Sequence, residues 1–203
     1  MTSDDMIEEV EEVEEVETTL PRALVILAEG AGESEAVIIV DLLRRGGIET
    51  VLAGLNGDGP VLLSRKVRVI PDVALASATG TFDILVLPGG PEGARRLANS
   101  ELVGERLKTF SNEGRLVAAI CAAPLAFPAH QVFAGRSMTC HPSMASRIAM
   151  YGNLDQRSAV VEDANLITSQ GPGTTFLFAL TIVRRVMGET RAAEVERGLV
   201  IPR

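Results

Sequence analysis

Few side chains in this sequence can act as nucleophiles or move protons near neutral pH. They are two cysteines (Cys121, Cys140), two histidines (His130, His141) and the acids of AEGAGESEAV: Glu29, Glu33 and Glu35. Cys121 follows the apolar run 116–120 in RLVAAICAAPLAF, and Pro124 stands where the first turn of a helix accepts proline. A thiol between a strand end and a helix start faces the strand-end crevice, and a helix N-terminus favours thiolate, so a low-pKa nucleophile is expected. Ala122 and Ala123 are small enough for a tight turn of the nucleophile-elbow kind. The competing reading is a buried cysteine that packs as a small hydrophobe.

The turn PGGP, 88–91, carries the next candidates. Gly89 and Gly90 let backbone approach a ligand and aim an N–H at it, as an oxyanion pocket requires, although an ordinary turn uses the same residues. Of the three acids, Glu35 lies nearest the predicted helix start. Beside a thiolate it would hold its proton, donate to sulfur and serve as acid and base; a solvated surface glutamate is the commoner outcome for such a residue. His141 follows a strand-like segment and can shuttle a proton. His130 reads as a surface or packing residue, and Cys140 as structural, pointing away from His141. GPGTT, 171–175, precedes a helix and could meet an anion. Neither a P-loop, a GxGxxG after a strand, nor zinc-type Cys/His spacing is present, so no cofactor and no metal are expected.

Alternating elements must position these residues. Strands are expected over 22–28, 49–55, 82–90, 116–120, 137–142 and 165–170, and helices over 34–47, 101–114, 175–188 and after Pro124, where Pro128 interrupts or kinks the turn. Strand then helix, with strands apolar on both faces, predicts an α/β fold with a mostly parallel sheet between helical layers. Ligands of such sheets bind beyond the carboxyl ends of the strands. Segments 29–35, 88–91, 121–124, 140–142 and 170–174 all follow predicted strands and should converge there.

The 203 residues suit one sizeable domain, 20–203, with an aliphatic core: apolar residues make up 46% and aromatics 3%, without tryptophan. That leaves no stacking platform for nucleic acid. The net charge of −8 sits in the N-terminal extension 1–19, which holds nine acids and no base; 18 acids against 19 bases remain elsewhere. That extension reads as a solvated, flexible or fraying segment. Neither a membrane-length apolar run nor a secretory signal pattern is found, so a cytoplasmic location is expected, with nuclear or mitochondrial pools as alternatives.

RALVILAEG, DILVLPGGPEGA, LVAAICAAP and NLITSQGPGTTFLFALTIV, in this order and spacing, resemble the ThiJ/PfpI superfamily over about residues 20–201, most nearly its protein-deglycase branch. The resemblance implies a flavodoxin-like three-layer sandwich with a mostly parallel central sheet, usually as a homodimer. It implies a nucleophile at Cys121, a protonated glutamate at Glu35, the site histidine at His141 and oxyanion donors at Gly90 and Ala122. It also implies that Arg45 and Arg65 are basic residues near the site and dimer interface. Gly32 departs from the family in replacing an acid, which would loosen the loop before Glu35; Ile70 replaces a cysteine of many animal members.

The activity so implied is a cofactor-independent glyoxalase or deglycase. It turns a small reactive dicarbonyl substrate, methylglyoxal or glyoxal, and its adducts into 2-hydroxy acids, with oxidative-stress sensing at the same cysteine. Alternatives are a redox-sensing chaperone or binding protein and, less favoured, a cysteine peptidase or amidase, which needs a third residue to orient the histidine.

Overall fold

A computed structural model describes residues 20–201; the acidic extension expected over 1–19 lies outside the described residues. In chain order the elements are β1 (Arg22–Leu27), α1 (Glu33–Arg45), β2 (Glu49–Gly54), β3 (Val61–Leu62), β4 (Arg68–Val69), β5 (Val73–Ala74) and β6 (Ile84–Leu87). They continue with α2 (Pro91–Ala98), α3 (Glu101–Asn112), β7 (Leu116–Ile120), α4 (Ala126–His130), β8 (Ser137–Met138), α5 (Ala145–Ala149) and β9 (Asn153–Leu154). The last are β10 (Val160–Asp163), β11 (Leu166–Ser169), α6 (Thr175–Met187) and α7 (Glu189–Leu199).

The main sheet has seven strands in the order β10-β11-β7-β6-β1-β2-β5. Every pairing in it is parallel except β10 with β11. Residues of β1 alternate between the two helical layers. Ala23, Val25 and Leu27 pack toward α1, α6 and α7, where Ile39, Leu43, Phe178 and Ile182 are buried. Leu24 and Ile26 pack toward the side where α3 and α4 bury Leu107, Phe110 and Phe127. α1 forms because Ala36, Ile39, Val40 and Leu43 recur at helical spacing, and it stops at Gly46–Gly47, the latter at φ 85°.

The chain leaves β1 for β2 on one side and later returns to β6 on the other, so the strand order reverses between β1 and β6. Backbones diverge there and open a crevice at the carboxyl ends. The three-layer α/β sandwich with a mostly parallel sheet is thus the architecture that the patterning predicted.

Some elements differ from expectation. The strand expected over 137–142 is limited to Ser137–Met138 and pairs with β9 in a small separate sheet. Helices α2 and α7 and the antiparallel edge strand β10 were not anticipated. Their apolar signal is thin: α7 buries Ala192 and Val195 of its 11 residues, and β10 is half-exposed.

Candidate active site

β7 delivers Cys121 to the crevice in a backbone conformation rare for a side-chain-bearing residue, φ 64°. Neighbouring strands impose it. The Cys121 N–H donates to the Ser169 carbonyl at 2.9 Å and the His141 N–H donates to the Cys121 carbonyl at 2.8 Å. With both peptide groups held, the chain can turn only by placing Cys121 in the left-handed region, a strain of about 1–3 kcal/mol characteristic of functional positions. A 3₁₀ turn, Ala123–Leu125, then leads into α4.

Opposite the thiol, α1 presents Glu35 from its first turn, 1% exposed. Its two competitors are engaged elsewhere: Glu29 pairs with Arg96 at 3.1 Å, and Glu33 accepts from the Ser64 hydroxyl at 2.8 Å and from the Arg65 N–H. Glu35 Oε2 accepts the Gly89 N–H at 2.7 Å, and Cys121 stands on the other side of the same turn, close enough for thiol and carboxyl to shift each other. Gly89 was expected among the oxyanion donors; instead its N–H is spent on Glu35, because the β6 turn crosses directly over the α1 N-terminus. The turn is dense. A Cβ on Gly89 would stand 2.6 Å from Cys121 Cβ and 2.7 Å from Glu35 Oε2.

Gly90 and Ala122 direct their N–H groups at the Cys121 sulfur. Gly90 has φ 90°, and a Cβ there would collide with the Gly30 carbonyl at 2.5 Å. Pro91 opens α2 behind it. The loop around Gly32 is not loosened, since its N–H donates to the Gly89 carbonyl at 3.1 Å and its carbonyl accepts from Ala36 at 3.0 Å.

The electrostatics correct one expectation. Burial and the Glu35 carboxylate push the Cys121 thiol up, to about 12, while the Gly90 and Ala122 N–H groups pull it down. The anticipated low-pKa thiol rested on a helix N-terminus, but α4 has five residues beyond a 3₁₀ turn and Cys121 is only 7% exposed. Burial also raises Glu35 above the usual carboxylate range. The two groups titrate as one unit that loses its first proton well before its second, because two adjacent anions in a buried site repel.

The His141 ring is half-buried and sits over Gly171, whose Cβ position would lie 3.3 Å from Cδ2. Its Nδ1 accepts the Ser143 N–H at 3.2 Å and contacts the Ser143 hydroxyl at 2.8 Å. Since a backbone N–H only donates, the neutral ring carries its proton on Nε2. Sequence reasoning missed Ser143, which follows His141 by two residues, a spacing frequent in turns and therefore uninformative. Contacts thus link all five predicted segments, including 140–142, which reaches the site without a main-sheet strand before it.

Other candidates fall outside the site. Arg45 is ten residues beyond Glu35 on α1, about 15 Å of helix, and pairs with Asp41 at 2.9 Å. Within one chain it therefore stands at the opposite edge of the sheet from Cys121. The exposed Arg65 bonds Glu33 and the Ser64 carbonyl rather than the Cys121–Glu35 pair. Cys140 is fully buried and its thiol is raised to about 11 by desolvation. His130 donates from Nε2 to the Leu97 carbonyl, 2.9 Å away, and packs on Gly104. Thr174 Oγ1 occupies the Gly171 N–H that an anion would need. Among the described residues no group of three or more His, Cys, Asp or Glu is arranged to hold a metal ion, and no helix is long and apolar enough to cross a membrane.

Known proteins share this arrangement of chain. Protein dj-1beta of Drosophila melanogaster is 46% identical over 181 residues, covering 88% of this chain and 96% of that protein. Glutathione-independent glyoxalase DJR-1.2 of Caenorhabditis elegans is 39% identical over 181 residues, covering 88% of this chain and 96% of its own. The crystal structure of Drosophila melanogaster DJ-1beta superposes with a TM-score of 0.89 at 44% identity, covering 91% of this chain and all of that one. The model of the DJ-1/PfpI family matches residues 21–185, from the first strand of the sheet through most of α6, so the segments that build the crevice all lie within it. A match of that extent, with relatives this similar over nearly their whole length, places the chain in the DJ-1/PfpI family.

Proposed function

We propose that the protein is a cofactor-independent glyoxalase and deglycase that converts methylglyoxal, glyoxal and their adducts to 2-hydroxy acids at Cys121. The observation that carries this reading is the buried Glu35 carboxyl packed with Cys121 around Gly89, beside a thiol that the Gly90 and Ala122 N–H groups pull toward the thiolate. A relative named as a glutathione-independent glyoxalase supports it.

In the singly ionised pair, the Cys121 S–H gives its proton to the Glu35 carboxylate as sulfur bonds to the aldehyde carbon. The Gly90 and Ala122 N–H groups meet the developing oxyanion, each such donor commonly contributing about 3 kcal/mol. That oxygen takes the Glu35 proton, giving a hemithioacetal. The carboxylate then removes the hydrogen on C1 as His141, protonated on Nε2, donates to the C2 oxygen, forming an enediol. Glu35 returns its proton to C2 while the C1 hydroxyl gives its proton back to His141, which leaves a thioester of the 2-hydroxy acid. Water cleaves the thioester and restores the thiol; carbon two is reduced as carbon one is oxidised, so no external redox partner is consumed.

Purified protein with methylglyoxal is expected to form lactate, and Cys121→Ala to form none above the uncatalysed rate. Equal rates would overturn the reading. A second reading, oxidation sensing, is favoured by the same two N–H groups, which would receive the oxygens of a cysteine sulfinate. Peptidase chemistry is disfavoured because His141 Nδ1 is held by Ser143 and no carboxylate orients the ring.

A further inference from the structure

Methylglyoxal has five heavy atoms, and a much larger space lies beside the site. A cleft of about 740 Å³ lies between α2, α4 and α5. Pro91, the neighbour of Gly90, and Ser143, the partner of His141, are among its lining residues and join it to the site. Leu125 and Met144 give it apolar walls, and among the described residues its charged lining is Arg95 and Arg147, without a carboxylate. Pockets of roughly 300–1,000 Å³ enclose ligands several times the size of a three-carbon dicarbonyl.

The two arginines are not equivalent. Arg95 donates through Nε and Nη2 to Glu92 at 2.9 and 2.7 Å, which neutralises it. Arg147 forms no ion pair among the described residues. It lies in α5, four residues beyond Ser143 along the chain, and both line the cleft, so a short aliphatic arm spans from the His141 partner to the guanidinium. Apolar walls with one uncompensated cation at the far end match an apolar arm ending in an anion.

We propose that this cleft is a substrate subsite for 2-oxoaldehydes longer than methylglyoxal, taking an aliphatic arm against Leu125 and Met144 and a terminal carboxylate on Arg147. This rests on the glyoxalase reading above and adds to it the class of substrate that the site prefers.

The test compares 5,6-dioxohexanoate with its uncharged methyl ester. The acid is expected to have the higher kcat/KM in the native protein. Arg147→Gln should lower the acid-to-ester ratio about tenfold, the scale of one lost charge-assisted contact, and Arg147→Glu should invert the preference. Because each protein is referred to its own ester rate, a general loss of activity does not imitate the effect. Ratios unchanged in both variants would overturn the subsite. Should the native protein turn over no 2-oxoaldehyde at all, the glyoxalase reading fails, and calorimetric titration with the unreactive 5-oxohexanoate decides the cleft by itself. Binding that Arg147→Gln weakens about tenfold upholds it; absent or equal binding overturns it.

Discussion

At the scale of single residues, the site is defined by a proton that two buried groups share. Glu35 is 1% exposed and its carboxyl is raised by burial. An acid whose folded pKa lies above its unfolded value stabilises the fold least where it must ionise. Stability is therefore lost as pH rises from the ordinary glutamate range through the raised folded value, by about 1.4 kcal/mol per unit of difference. Glu35→Gln removes this dependence while leaving an oxygen to accept the Gly89 N–H. The variant should melt above the native protein near neutrality, with the gap closing as pH falls toward 4; a pH-independent difference in Tm would show that the Glu35 pKa is not raised in the fold. AEGAGESEAV offers three acids near a helix start and singles out Glu35 as the nearest to it; why the other two stay out is not legible there. Arg96 and Ser64, supplied by distant segments, engage the other two.

Among elements, the turn after β6 is the tightest piece of the site. Gly89 touches both reactive residues, and an alanine methyl there meets Cys121 Cβ, Glu35 Oε2 and the Ile120 carbonyl within 2.7 Å. None of these is the free end of a surface side chain, so the turn or the thiol must move. Gly89→Ala should cost about 1–3 kcal/mol of stability and displace Cys121 from Glu35, lowering kcat/KM on methylglyoxal by a hundredfold or more. Gly173→Ala is the control, since nothing lies within 4 Å of its Cβ position. Equal kcat/KM for the two variants would refute the packing account. PGGP identified a close approach of backbone to something, but only the fold shows that the first glycine serves the glutamate and the second the sulfur.

For the whole molecule, several aliphatic side chains of α1 and the segment around β4 are exposed. Val37 on α1 is 52% exposed, and Val67 and Ile70 beside β4 are 50% and 70% exposed. Val37 and Val69 line one shallow cleft with Leu52. We propose that this face joins two copies of the chain as a homodimer, since exposed aliphatic groups gathered on one surface gain most by mutual burial. Sedimentation of the native protein should give a two-chain species, and Val37→Asp should shift it toward one chain at micromolar concentration. Identical sedimentation of both proteins would exclude this face.

The sequence by itself determined the architecture and the edge of the sheet where chemistry belongs. Apolar strands such as LVAAI can be buried on both faces only between two helical layers, and residues after the strands then meet at one edge. It also singled out Cys121, because strand end and turn are local properties. The tertiary structure decided the rest: the engagement of Glu29 and Glu33 elsewhere, the destination of the Gly89 N–H, the tautomer of His141 and the upward shift of the thiol. Each depends on groups far apart along the chain, as with Gly89 and Glu35, 54 residues apart, and on burial. Neither the partner of a hydrogen bond nor the solvent lost around a charge is encoded in the neighbouring residues.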